Sequence, residues 1–295
     1  MRRHLTVLCV LATTATGCGS VSRALPDTTT AAVVATPSIA AITSPASLAD
    51  TTATATRTSG PQPATPCEQI AFNIGLHRLG TTQVVVVTTA SAASNTGELQ
   101  LADLGPQGWK CGPALAARLG ANGTRPLLLR RSGDGTTPAG VFPLGTMTAW
   151  DGQMFSFFGN LADPGVTAGA FRRVRVGDCF GATPGNAAYG HLVQRPAAQC
   201  PGPDDEYLPT FGSVYERAAL IGANMEPDVS GDAPGEAPYA AAIFLHRDSY
   251  DSAGNSRPTA GCVSLSHADL ITTLRAMRSG VLFAIGDTTW LLANT

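Results

Sequence analysis

Charge is scarce in this chain of 295 residues: only 14% of them are Asp, Glu, Lys or Arg, and the formal net charge is −2. Binding to nucleic acid or to an anionic membrane surface relies on a dense basic patch, and a composition this lean argues against either as the main activity. No apolar run reaches the roughly 20 residues that a membrane-spanning helix needs, and no internal repeat is present. Between Gly19 and Pro66 there is no aromatic residue at all, and the only charged residues are Arg23, Asp27, Asp50 and Arg57. A stretch of Thr, Ala, Ser and Pro so poor in bulky side chains cannot bury a core. No CxxC pair occurs, and one His with one Cys falls short of the three or four ligands that zinc takes, so no metal site is expected.

What is present starts with MRRHLTVLCVLATTATGC, in which Arg2 and Arg3 precede an apolar run from Leu5 to Leu11 and small residues lead to Cys18. That is the layout of a secretory signal. Its end resembles a bacterial lipobox, with Ala15 at the place usually held by an aliphatic residue. The resemblance implies a lipoprotein signal peptide over 1–17, acylation of Cys18 and attachment to a membrane through lipid, because buried acyl methylenes supply the anchoring free energy. Residues 18–66 then read as the lipidated cysteine plus a disordered tether with a reach of roughly 40 Å, and 67–295 as one folded domain. The protein is expected to be extracytoplasmic, tethered to the cell membrane and facing the cell wall.

Seven cysteines are present. With Cys9 in the signal and Cys18 assigned to lipid, Cys67, Cys111, Cys179, Cys200 and Cys262 remain for the domain. In an oxidising compartment four of these five are expected in two disulfides and one is left over. Chain order suggests Cys67 with Cys111 and Cys179 with Cys200, although four cysteines admit three pairings.

Within the domain, TQVVVVTTA (81–89) and the alternation of GELQLADL predict two strands, with GWKC starting a third. PLLLRR (126–131) reads as another strand, followed by a tight hairpin turn at Asp134 and Gly135. Residues 151–240, rich in Gly and Pro and weakly periodic, read as loops, one of them stapled by Cys179 and Cys200. AAAIFLH (240–246) is a buried strand ending at His246. The polar stretch 247–260 is too long for an economical hairpin and reads as a functional loop. Ser266 caps a helix whose Leu270, Ile271, Leu274 and Met277 share a face, with Gly280 as its stop. VLFAIG (281–286) returns as a strand, and WLL (290–292) is a further short candidate. The fold class expected is mainly β with a short C-terminal helix.

His246 and Cys262, sixteen positions apart, carry the chemistry. An imidazole beside a thiol can accept its proton and stabilise the thiolate, and Gly261 with the amides around 261–263 suits an oxyanion site, so the parts fit acyl transfer. FLH, a Gly-containing loop and RPTAGCVSL together resemble the L,D-transpeptidase catalytic domain (YkuD type), whose signature is a His, a spacer and Ser/Thr-x-Gly-Cys. GDGTTPAGVFPLG resembles that family's TPxGxF stretch at Thr137, Pro138, Gly140 and Phe142.

The resemblance spans roughly 83–286. It implies a β-sandwich or barrel-like catalytic domain in a divergent exported branch. It makes Cys262 the nucleophile and His246 its base, with Gly261 alongside and Thr259 and Ser264 at substrate-binding positions. Two positions depart from the pattern: Ala260 stands where many members have His or Arg, and Ser264 where many have Asn or Arg. The partners implied are peptidoglycan stem peptides, joined by 3→3 cross-links through a thioester; water as acceptor makes the enzyme an L,D-carboxypeptidase instead, and a silent site leaves a wall-binding lipoprotein. A stem ends in a carboxylate, which a guanidinium grips well. Arg257, whose backbone Pro258 restrains, is assigned that role, with Arg247 as the second candidate. His267, His77, His191 and the run Asp204, Asp205, Glu206 read as solvated groups.

Overall fold

The structure, a computed structural model, describes residues 65–200, 202–225, 229–230 and 239–295. The signal segment, Cys18 and the tether up to residue 64 lie outside the described residues. Thr65 and Pro66 already belong to the folded part. Thr65 caps helix α1 (Pro66–His77) by accepting from the Glu68 N–H at 3.2 Å, and Pro66 supplies a φ preset for the first turn. Ile70, Ala71 and Ile74 bury the inner face of α1 against Val84, Val86 and Trp109.

The strands, in chain order, are β1 (Gln83–Thr89), β2 (Thr96–Gly105), β3 (Gly108–Cys111), β4 (Leu115–Arg118), β5 (Thr124–Pro126), β6 (Thr137–Pro143), β7 (Met147–Thr148), β8 (Met154–Phe155) and β9 (Phe157–Gly159). They continue with β10 (Phe171–Arg173), β11 (Asp178–Phe180), β12 (Leu192–Gln194), β13 (Glu206–Tyr207), β14 (Ala218–Leu220), β15 (Phe244–Arg247), β16 (Val263–Leu265) and β17 (Leu282–Asp287). Helices α2 (His267–Ala276) and α3 (Thr288–Asn294) flank β17 in sequence. A mixed 12-stranded sheet runs β10-β9-β14-β15-β16-β4-β2-β1-β17-β6-β5, with β3 hydrogen-bonded to β2 off that path. A three-stranded sheet, β12-β11-β13, and the β7-β8 pair complete it.

The fold is mainly β, as the residues lead one to expect, and β1 shows why its sequence does not alternate. Val84 and Val86 face the α1 side while Val85 and Val87 face the main core, so both faces demand apolar side chains. Ser266 caps α2 as its spacing from Asp269 requires, accepting from the Asp269 N–H. Both disulfides follow chain order: Cys67–Cys111 ties α1 to β3, and Cys179–Cys200 ties β11 to the segment after β12.

Four expectations are corrected. PLLLRR is not a strand: only Pro126 ends β5, and Leu127–Leu129 form a 3-10 turn that leaves Leu128 and Leu129 exposed. Asp134 and Gly135 do turn the chain, but β5 and β6 run parallel, so the turn is no hairpin. WLL lies in α3, because Asp287 accepts from the Trp290 N–H and starts a helix there. Residues 151–240 contain short strands from β8 to β14, each only two or three residues long and therefore too short to show alternation.

Candidate active site

Strands β15 and β16 lie side by side and parallel, with Leu245 opposite Val263 and His246 opposite Ser264. Successive side chains alternate between faces. Leu245, Val263 and Leu265 therefore enter the main core, while Phe244 and Cys262 enter a second cluster with Tyr215 and Phe158. His246 shares that second face. Two residues along a strand, at ~3.3 Å each, and one strand across, at ~4.8 Å, separate the Cα atoms of Cys262 and His246 by about 8 Å. The nucleophile and base expected from the sequence are thus diagonal neighbours on one face.

They are not hydrogen-bonded to each other. The Cys262 thiol donates to the Ala242 carbonyl at 3.1 Å, and its sulfur accepts from the Phe244 N–H at 3.4 Å. His246 Nδ1 is 2.7 Å from the Arg247 carbonyl oxygen. A carbonyl only accepts, so the proton sits on Nδ1 and Nε2 keeps its lone pair. The Tyr215 ring packs edge-on against both His246 and Phe244, with centroids 5.4 and 5.6 Å away.

Burial keeps both reacting groups neutral at rest. It pushes the Cys262 thiol up to about 12, helped by nearby Glu206, while Phe244 and Arg130 pull the other way. Burial also pushes His246 down to about 4, against its bond to Arg247. The site therefore holds a thiol and an imidazole, not a preformed ion pair, and proton transfer has to accompany attack. Alkylation of Cys262 by iodoacetamide in the unreduced domain should accordingly rise about tenfold per pH unit from pH 7 to 10, and no other cysteine of the domain should be labelled. A rate that levels off below pH 8 would mark a resting thiolate instead.

Thr259 shapes the turn before Cys262. Its hydroxyl accepts from the Gly261 N–H at 3.1 Å and donates to the Cys262 carbonyl at 2.7 Å, so that amide is engaged within the turn. Thr137, from the TPxGxF-like stretch, also reaches the Cys262 carbonyl at 3.4 Å while accepting from the Gly120 N–H at 2.8 Å. The two sequence motifs meet at one carbonyl. Gly261 has φ +155°, and a Cβ there would stand 3.0 Å from the Thr136 carbonyl oxygen and 3.1 Å from Arg130 Nη2. Glycine is needed at this place for both reasons.

Ser264 is fully buried, and its hydroxyl donates to Asp248 at 2.6 Å. Its visible task is to hold that carboxyl, which burial raises above its usual range. Arg247 is paired with buried Glu216 at 2.8 Å. Arg257 is exposed and does not line the cavity next to the thiol. His267 Nδ1 bonds the other oxygen of Glu216, so it is half-exposed yet partnered.

That cavity has a volume of about 100 Å³, and Cys262, Gly261, Ala242, Arg130, Glu206 and Asp204 are among its walls. Four of these, Ala242, Arg130, Glu206 and Asp204, were not legible as site residues. Asp204, Asp205 and Glu206 are not a plain solvated turn: Asp205 accepts from the N–H groups of Ala182, Thr183 and Gly202, and Glu206 accepts from the Tyr215 hydroxyl at 2.7 Å. Burial pushes Glu206 up to about 7, although the Tyr215 bond opposes it. Arg130 is 2% exposed. Its burial follows from carbonyl acceptors supplied by Thr136 and Tyr239, the second 109 positions away in sequence, which no local signal announces.

Among the described residues no three His, Cys, Asp or Glu side chains are grouped so as to hold a metal ion, and no helix is long and apolar enough to cross a membrane. Comparison with models of known protein families and with curated proteins finds no match to this chain.

Proposed function

We propose that the chain is a cysteine acyltransferase of the L,D-transpeptidase (YkuD-like) type acting on peptidoglycan stem peptides outside the cytoplasm. The observation that carries the reading is the convergence of TPAGVF and TAGC on the Cys262 carbonyl, with His246 on the same sheet face and its Nε2 free. The two stretches lie 125 positions apart in sequence and meet beside the thiol.

In this reading Cys262 Sγ attacks the carbonyl preceding the terminal D-alanine of a tetrapeptide stem. The S–C bond forms, the C–N bond to D-alanine breaks, and the thiol proton passes by way of His246 Nε2 to the departing amine. An amine from a second stem then attacks the thioester, yields a 3→3 cross-link and returns the proton to sulfur. Arg130 opposes the cost of a developing thiolate, since its charge lowers the thiol's proton affinity. Two disulfides are compatible with an oxidising compartment.

Incubating the protein with a disaccharide-tetrapeptide and weighing the products tests this. A cross-linked dimer with release of D-alanine is the expected result. Tripeptide alone would make water the acceptor, and unchanged substrate retained on the protein would leave a binding function only.

A further inference from the structure

Arg130 has a guanidinium that is not fully used. Its Nε donates to the Thr136 carbonyl at 3.1 Å and its Nη1 to the Tyr239 carbonyl at 2.7 Å. Nη2 donates no hydrogen bond among the described residues, and the nearest carboxylate oxygen, Asp134 Oδ1, is 3.8 Å away. A buried cation with open donors calls for an anion. Nη2 stands where a Cβ on Gly261 would nearly touch it, at 3.1 Å, and Arg130 shares the cavity wall with Cys262. The absence of a side chain at 261 is therefore what lets the guanidinium approach the residue next to the thiol.

The acidic groups around it leave Nη2 without a hydrogen bond. Asp134 accepts from the Thr136 hydroxyl and from the Arg131 and Thr136 N–H groups, and these bonds, with the Arg130 charge 3.8 Å away, hold it below the usual carboxylate range against its burial. Glu206 faces the cavity but is pushed up to about 7 and receives the Tyr215 hydroxyl. Asp204 is exposed, where solvent screens it.

We propose that Arg130 anchors the carboxylate of the acyl donor beside Cys262, so that the thiol acts on carbonyls adjacent to a free carboxylate. Its identification with the C-terminal carboxylate of a stem peptide rests on the function proposed above; the anion site itself does not. This assignment takes the place of Arg257 and Arg247 as the carboxylate grip.

Two reagents that deliver the same carbon to sulfur provide the test. In both, the S–C bond forms, iodide leaves and the thiol proton goes to His246 or solvent; iodoacetate carries a carboxylate and iodoacetamide does not. The iodoacetate-to-iodoacetamide rate ratio at Cys262 should exceed that of free cysteine by about tenfold or more, the scale of a charge-assisted hydrogen bond. Arg130→Met should slow both reagents, because the Arg130 charge also favours the thiolate, and should bring their rate ratio down to that of free cysteine, while Arg130→Lys should keep part of the excess. An unchanged ratio in folded Arg130→Met overturns the proposal.

If Arg130→Met does not fold, the wild-type chain decides. Propionate should slow iodoacetamide labelling of Cys262, whereas propionamide and propylammonium should not. Protection by propylammonium, or equal effects of propionate and propionamide, overturns the anchor. Stem tetrapeptides with a free or an amidated C-terminus separate the two readings. Reagent selectivity without turnover of either peptide keeps the anion site and removes the peptidoglycan substrate.

Discussion

Replacing His246 with alanine should slow acylation of Cys262, by a tetrapeptide stem or by a carbapenem, on the order of 10²–10⁴-fold, the usual contribution of a general base. The size follows from the resting protonation states. A thiol at about 12 offers almost no thiolate near neutrality, so the proposed acylation requires a base that takes the proton during attack. His246 is suited to this because its Nδ1–H is held by the Arg247 carbonyl and Nε2 stays unprotonated.

With its pKa pushed down to about 4 by burial, His246 remains a base throughout the physiological range. The wild-type acylation rate should therefore hold steady as pH is lowered and fall only near 4, whereas a base with the ordinary imidazole value would fall away near 6.5. The sign for stability is the same: the contribution of a buried neutral His246 is complete above about 6.5 and is lost as pH falls through about 4. Cys262→Ala should abolish the covalent carbapenem adduct altogether. An adduct that survives in Cys262→Ala, or equal acylation rates in wild type and His246→Ala, would remove these residues from the roles of nucleophile and base.

The largest effect on stability is expected at Asp178, which is fully buried. It accepts from both terminal nitrogens of Arg172, from Trp150 Nε1 at 2.8 Å and from the Arg175 N–H at 2.8 Å. Arg172 is itself 1% exposed, and its Nε already lacks a partner. Asp178→Ala would leave a guanidinium in the interior with Asp151 and the Arg173 carbonyl, each 3.4 Å away, as its remaining polar partners among the described residues. Breaking one side of such a pair costs about 3–5 kcal/mol, against a total stability of about 5–15 kcal/mol for an ordinary domain.

Urea denaturation measures this, and a loss below about 1 kcal/mol would mean that water reaches Arg172. A double replacement, Asp178→Leu with Arg172→Met, should be much milder, because it leaves no uncompensated charge. Arg172 lies on β10 of the main sheet and Asp178 on β11 of the small one, so the pair stitches the two sheets together. β13, which pairs with β11, begins with Glu206 of the cavity wall. The destabilised variant should therefore lose Cys262 selectivity before it unfolds.

Regular elements with strong local signals could be read from the residues. Four consecutive valines, the Ser266 cap and VLFAIG all required what the structure contains. What escaped depends on distance. Leu127, Leu128 and Leu129 look like strand, yet β5 has only β6 beside it and stops at Pro126, so two of the leucines face solvent. Trp290 and the leucines after it look like strand until Asp287 is read as a cap. At the candidate site, Cys262, His246 and Gly261 stood out in the sequence because their residue types are chemically distinctive. Arg130 and Glu206 were not, because arginine and glutamate are ordinarily surface residues and only long-range partners withdraw these two from water.

The parallel pairing of β15 with β16 has one further consequence. Adjacent parallel strands cannot be joined by a tight turn; the chain must travel back to its starting end, which takes a dozen or more residues. The interval between His246 and Cys262 is therefore set by the return trip and not by any requirement of the chemistry. The hydrogen-bonded ladder fixes where His246 and Cys262 stand relative to each other, and the connection merely has to be long enough. Residues may be added or removed near Gly254, whose position has open space around it, without displacing either reactive group. Shifting β16 by a single residue, by contrast, would carry the thiol through the sheet into the Val263 core. Distant homologues should thus vary in the length of this interval while keeping the alternation of residues on either side of it.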